Sequence, residues 1–309
     1  MVKFVNTERT IIELFSKTRT FCFEGKQYSV KIVGKPRPST GECKTDVYVA
    51  AVDESGYKRE IKISVKQSNA DFLENKISLE RAKEILGIEA QNIIYTGVKS
   101  IVDAFTDDYL IYIDKKGKSE AKTIKLGWKF EFLNKLSGKK SAILPLTENQ
   151  KIDIFSGRGL PIEKRNCKVG NDVICNSGVA DYILVIDGHS NNLTIENCLQ
   201  RLVAVEDYIK NQNIYFACKA LNYRCRIKEG KNVDKWDGDR PLAVYVDWSI
   251  KGGKLSASLI FDNPLSKKGN SVGNQLKQHL KTLNISANNF ADIINYIPGN
   301  VNVYKKEIK

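Results

Sequence analysis

The strongest constraint on this chain is the stretch from Gly41 to Ser68, two short β-branched runs separated by a compact turn. Both runs read as strands, since each is bounded by Gly or polar residues and alternates in character. Asp53-Glu54-Ser55-Gly56-Tyr57 supplies the turn chemistry of a hairpin. With side chains alternating at period two, Ile61, Ile63 and Val65 point one way and Lys62, Ser64 and Lys66 the other. A hairpin centred near Gly56 places Asp46 opposite Lys66. Same-face neighbours across the strands then gather Asp46, Ser64 and Lys66, a carboxylate, a hydroxyl and an ammonium, on an apolar platform.

Such a group suits phosphodiester hydrolysis. A carboxylate is a hard oxygen ligand for Mg²⁺, and a carbonyl at a strand end adds a second. The cation polarises the phosphate and acidifies a bound water, while a lysine orients the nucleophile and offsets developing negative charge. The plain alternative is an amphipathic hairpin whose Asp and Lys form a surface ion pair worth ~0–1 kcal/mol.

The run Gly41 to Asp46 followed by Lys62-Ile-Ser-Val-Lys-Gln67 resembles the active-site hairpin of the PD-(D/E)XK nuclease superfamily, particularly type II restriction endonucleases and related phage nucleases. The resemblance maps a metal-binding Asp onto Asp46 and a water-orienting Lys onto Lys66. It departs from the family pattern at Thr45, where the motif carries proline, and at Ser64, where it carries a second acid. Mg²⁺ would then draw further oxygen from the Val65 carbonyl, from Glu42, or from a helix acid such as Glu13. The motifs cover roughly residues 1–90, and the resemblance implies a mixed β-sheet core flanked by helices.

Charge points the same way. Lys and Arg number 49 against 36 Asp and Glu, a net +13 that attracts polyanions, nucleic acid foremost among them. A hydrophobic content of 42% with 28% charged residues describes a globular chain with ample core, and no run approaches a membrane-spanning length. No signal peptide is legible, and seven Cys without framework spacing suit free thiols, so the expectation is cytoplasmic. Pairs such as Cys167 with Cys175 and Cys218 with Cys225 are spaced too widely for ordinary zinc ligands.

Along the chain, Asn6 or Thr7 caps an expected helix to about Lys17, and Phe21–Phe23 with Tyr28–Val33 form an expected hairpin. Lys35 to Gly41, containing Arg37, is a proline-bounded basic loop leading to Asp46. Helical spacing covers Ala70–Leu86 and roughly Ala90–Phe105, and alternation at Trp128, Phe130 and Phe132 indicates a strand. Arg158 and Arg165, in a glycine-bracketed basic segment, are candidates for reading guanine edges. Asp187-Gly-His189-Ser190 reads as a turn. A helix is expected near Ile195–Lys210, with strands near Ile214–Lys219 and Tyr223–Lys228. Arg224 and Arg226 share one face of the latter as a phosphate stripe. Leu242–Ile250 and Leu255–Phe261 form a hairpin around Gly252-Gly253, and Lys267 and Lys268 precede a helix from about Val272. A last helix is expected near Ala287–Ile297.

Together these features predict an α/β or α+β chain, with a nuclease core over residues 1–120 and a β-rich, DNA-contacting region over 121–309. The expected activity is Mg²⁺-dependent, restriction-type cleavage of double-stranded DNA, with a homodimer suited to palindromic sites. A nuclease-fold protein that binds DNA without cutting it, and a basic RNA-binding or structural factor, are the alternatives.

Overall fold

The computed structural model describes residues 2–68, 72–75, 77–186 and 193–306 of an α+β protein. Its contacts divide the described chain into two units. One comprises residues 1–71, 84–87 and 146–213, and the other residues 72–83, 88–145 and 214–309. This course differs from a single division near residue 120. Composition is a local property, whereas the first unit is completed by a strand contributed from residues 182–186.

The first unit opens with helix α1 (Val2–Lys17), which begins earlier than a cap at Asn6 or Thr7 predicts. Strands β1 (Thr20–Phe23) and β2 (Lys26–Gly34) follow as the expected hairpin, turned by Glu24 and Gly25 at φ 49° and 74°. Strands β3 (Val47–Asp53) and β4 (Lys58–Gln67) form the central hairpin. Its turn is locked by the Asp53 carboxylate, which accepts the Ser55 N–H at 2.9 Å, the Ser55 hydroxyl at 2.6 Å and the Tyr57 N–H at 2.9 Å.

Val47 pairs with Ile63 and Tyr48 with Lys62. The next pair outward is therefore Asp46 with Ser64, not Asp46 with Lys66. The hairpin is centred on Ser55 rather than Gly56, and moving the centre by one residue slides the register by two. Since the side-chain period is two, Asp46, Ser64 and Lys66 keep a common face.

Six strands form one sheet in the order β1, β2, β3, β4, Tyr182–Ile186, Leu202–Ala204. Only the pairing of β4 with Tyr182–Ile186 is parallel. It sets Ser64 beside Ile183 and Lys66 beside Val185. One face packs Val47, Val49, Ile61, Ile63 and Val65 under Ile11 and Phe15 of α1. The other carries a smaller cluster of Tyr48, Ala50 and Val169, and this is the face to which Ser64 belongs.

The second unit holds a nine-stranded sheet whose centre is Thr123–Leu133, the strand announced by Trp128, Phe130 and Phe132. Residues 215–228 form one continuous strand with an irregularity at Leu221/Asn222, where two strands were expected. Hydrogen bonding to Thr123–Leu133 runs past both halves and fuses them. The hairpin around Gly252 and Gly253 is present as Val244–Lys251 and Lys254–Ile260. The expected helix over 70–86 is instead a short strand, Phe72–Glu74, followed by helix Leu79–Leu86. That over 195–210 is split into Ile195–Gln200 and Val205–Lys210 by strand Leu202–Ala204. The last helical stretch is 3₁₀, Phe290–Tyr296. In each case an edge pairing or tight turn overrides apolar spacing. His189 and Ser190 lie outside the described residues. Among the described residues, no helix is long and apolar enough to cross a membrane.

Candidate active site

Asp46 is placed by the loop before it. The Gly178 carbonyl accepts the Lys44 and Thr45 N–H groups at 3.0 and 3.2 Å, while the Gly178 N–H donates to the Arg165 carbonyl at 2.8 Å. A Cβ at Gly178 would stand 2.3 Å from the Lys164 carbonyl oxygen and 2.6 Å from Cys167 Sγ, so only glycine fits there. The Asp46 N–H then donates to the Ile63 carbonyl at 2.8 Å, and its Oδ2 accepts the Val65 N–H at 2.8 Å. The Ser64 hydroxyl is a longer donor to the same oxygen, at 3.4 Å. Ser64 is fully buried, and Asp46 and Lys66 are half-buried. Lys66 has no hydrogen-bond or ion-pair partner among the described residues.

The helix carboxylate at this site is Glu8 rather than Glu13. Glu13 is half-exposed and pairs with Arg9 one turn away, at 2.8 Å. Glu8 lies on the buried stripe of α1 with Ile11 and Phe15, and it forms an ion pair with Lys35. A charged residue three and seven positions before core residues was the signal in the sequence. Burial pushes the Glu8 carboxyl above its ordinary range and nearby Asp46 adds to the rise, against the opposing charges of Lys35 and Lys66. Lys35 is raised despite its own burial, because Glu8 bonds it and Asp46 lies within electrostatic reach. Two carboxylates and two ammonium groups thus share one end of the sheet.

The donors fit a hard cation. Asp46 and Glu8 offer carboxylate oxygens, and the Val65 carbonyl belongs to the residue whose N–H holds Asp46. Ser64 spends its hydroxyl on Asp46, and Glu42 is exposed on the preceding loop. No group of three or more His, Cys, Asp or Glu among the described residues is gathered tightly enough to hold a metal. The set therefore suits a water-rich Mg²⁺ site with few protein ligands, not an all-protein cage.

The other candidates are dispersed. Arg158 pairs with Glu206. Arg165 has a buried Nε without a partner. The Arg224 and Arg226 stripe is neutralised internally: Arg224 reaches Glu120 at 3.4 Å and also binds Asp237, and Arg226 binds Glu120. Cross-strand neighbours thus consume charges that sequence presents as free. Arg37 is exposed, and its backbone pairs with Lys168 in both directions at 2.9 Å. Lys267 and Lys268 are exposed before helix Gly269–Thr282. The first N–H groups of that helix are already taken, by the Arg240 carbonyl at 3.0 Å and Asp239 Oδ1 at 3.1 Å. Cys167 meets Cys43 rather than exposed Cys175, and burial pushes the Cys43 thiol up to about 12. Both are neutral thiols at ordinary pH.

Comparison of the chain with protein-family models, curated proteins and solved structures finds no match.

Proposed function

We propose that this protein is a Mg²⁺-dependent endonuclease acting on double-stranded DNA, with Asp46 and Glu8 as cation ligands and Lys66 as the water-orienting residue. The observation that carries the reading is the joint placement of Asp46 and Lys66. The two sit on one face of β4 and its neighbouring chain, with Asp46 fixed by the Val65 N–H and the Lys66 ammonium unclaimed by any described side chain. A bound divalent cation would polarise the scissile phosphate and lower the pKa of its water. Lys66 holds that water in line by hydrogen bonding and balances charge gathering on the phosphoryl oxygens. Val65 and Ser64 keep the Asp46 carboxylate in a single orientation. The net +13 favours a polyanionic substrate. Restriction-type sequence specificity and a homodimer are parts of the same proposal.

The test is incubation of long unmethylated duplex DNAs with Mg²⁺ or EDTA, comparing wild type with Asp46→Ala and Lys66→Ala. Discrete metal-dependent bands lost in both variants support the restriction reading. Metal-dependent smearing lost in both supports a nuclease of low specificity. A folded wild type that binds DNA in a salt-sensitive way without cutting it overturns both. The second reading, a nuclease-fold DNA binder without cleavage, is favoured by one observation: Ser64, in the acid position, is fully buried and committed to Asp46.

A further inference from the structure

Resting on that reading, we infer that Lys35 is a built-in competitor of the divalent cation, holding Glu8 in the free protein and giving it up when metal enters. The argument begins with charge. Asp46 and Glu8 carry two negative charges, and Lys35 and Lys66 carry two positive ones, so the site is balanced before any cation arrives. Adding Mg²⁺ without moving an ammonium would leave a partly buried excess of two positive charges, which is costly at low local dielectric. One ammonium must yield.

The two carboxylates are the fixed partners. Asp46 is tied to the β4 backbone through the Val65 N–H, and the Glu8 side chain is only 10% exposed on the core stripe of α1. Lys35 is the mobile one: its side chain is 49% exposed, and it follows the end of β2 in the loop leading to Asp46. A flexible four-carbon stem with one face in water can withdraw an ammonium at little cost. Ser64 gives the exchange its purpose. With a hydroxyl where the motif carries an acid, the second carboxylate must come from elsewhere, and Glu8 reaches the site already bound to Lys35. Lys35 is thus a positioning residue. It keeps two buried carboxylates from repelling each other in the metal-free protein, at the expense of cation affinity.

The test is direct Mn²⁺ binding to the full chain, without DNA, followed by the electron-spin signal of free Mn²⁺. The variants are Lys35→Met, Lys35→Gln, Glu8→Gln, the double variant Glu8→Gln/Lys35→Met, and Asp46→Asn, each checked for folding by circular dichroism. The expected result is Mn²⁺ binding about three- to tenfold tighter in Lys35→Met and Lys35→Gln, the size of one modest ion-pair term. The gain should vanish in the Glu8→Gln background. Wild-type affinity in folded Lys35 variants, with binding lost in Asp46→Asn, overturns the role of Lys35 and leaves the metal centre standing. Binding that is absent throughout, or unchanged in Asp46→Asn, overturns the metal centre and the competitor together.

Discussion

Two lysine–carboxylate constellations in this molecule use the same residue types to opposite ends. In the second unit, Asp108 receives Lys125 at 2.6 Å and Lys140 at 2.7 Å on one oxygen. Both ammonium groups also lie over aromatic rings: Lys125 is 5.2 Å from the Tyr112 centroid, and Lys140 is 5.8 Å from that of Phe105. Every charge there has a partner and a wall. In the first unit, Lys66 is unclaimed by the described residues, and Lys35 is half in water. A saturated cluster holds a fold together, and an unsaturated one keeps capacity for a ligand. Residue type does not separate the two, but the number of partners does.

Breaking each cluster should give opposite phenotypes. Asp46→Ala and Lys66→Ala should each lower cleavage by about 10²–10³-fold while leaving the denaturant midpoint near wild type. A large stability loss with proportionate loss of cleavage would make the first cluster structural as well. Asp108→Asn should cost about 3 kcal/mol of stability by urea unfolding, because it leaves the nearly buried Lys125 without a counter-ion. Cleavage by the folded fraction should not change.

The second cluster also sets a pH dependence. Burial pushes the Asp108 carboxyl up, but the hydrogen bonds and charges of Lys125 and Lys140 outweigh it and hold the group below the ordinary carboxylate range. A lowered folded pKa means the stabilisation is present above the unfolded-state pKa and is lost as pH falls through the folded value. The acid limb of a stability-versus-pH curve should therefore be shallower in Asp108→Asn, and an unchanged limb would remove Asp108 from the account.

Smaller effects sharpen the picture. Gly178→Ala should cost about 1–3 kcal/mol and lower cleavage as well, since it displaces the loop that seats Asp46. Thermal melts and cleavage by the same preparation read both. Arg158→Ala should change stability by less than about 1 kcal/mol, because Arg158 and Glu206 are both 45% exposed. A change in sequence preference on that substitution would restore Arg158 as a base reader.

Much of the first unit could be read in advance. The Asp53 turn, the β1–β2 hairpin and the common face of Asp46, Ser64 and Lys66 follow from local chemistry and period two. The register slipped by two because the turn centre is Ser55, a choice made by the Asp53 side chain. Glu8 was overlooked in favour of Glu13, since which side of α1 meets the sheet end depends on the packing of Ile11 and Phe15. Gly178 carried no local signal at all. Its need for a bare Cα arises from Lys164, Cys167 and Cys43, which come together only in the folded unit.

The sequence by itself determined the strands, the alternation that sorts carboxylate, hydroxyl and ammonium to one side, and the excess of positive charge. These are properties of neighbouring residues and of sums. Tertiary structure alone decided which charges remain free. Arg224 and Arg226 are spent on Glu120 and Asp237, Arg158 on Glu206, and Lys35 on Glu8, while Lys66 has no such partner among the described residues. The physical reason is that charge pairing acts over a few ångströms of space, and the chain is folded so that those ångströms span up to 106 residues.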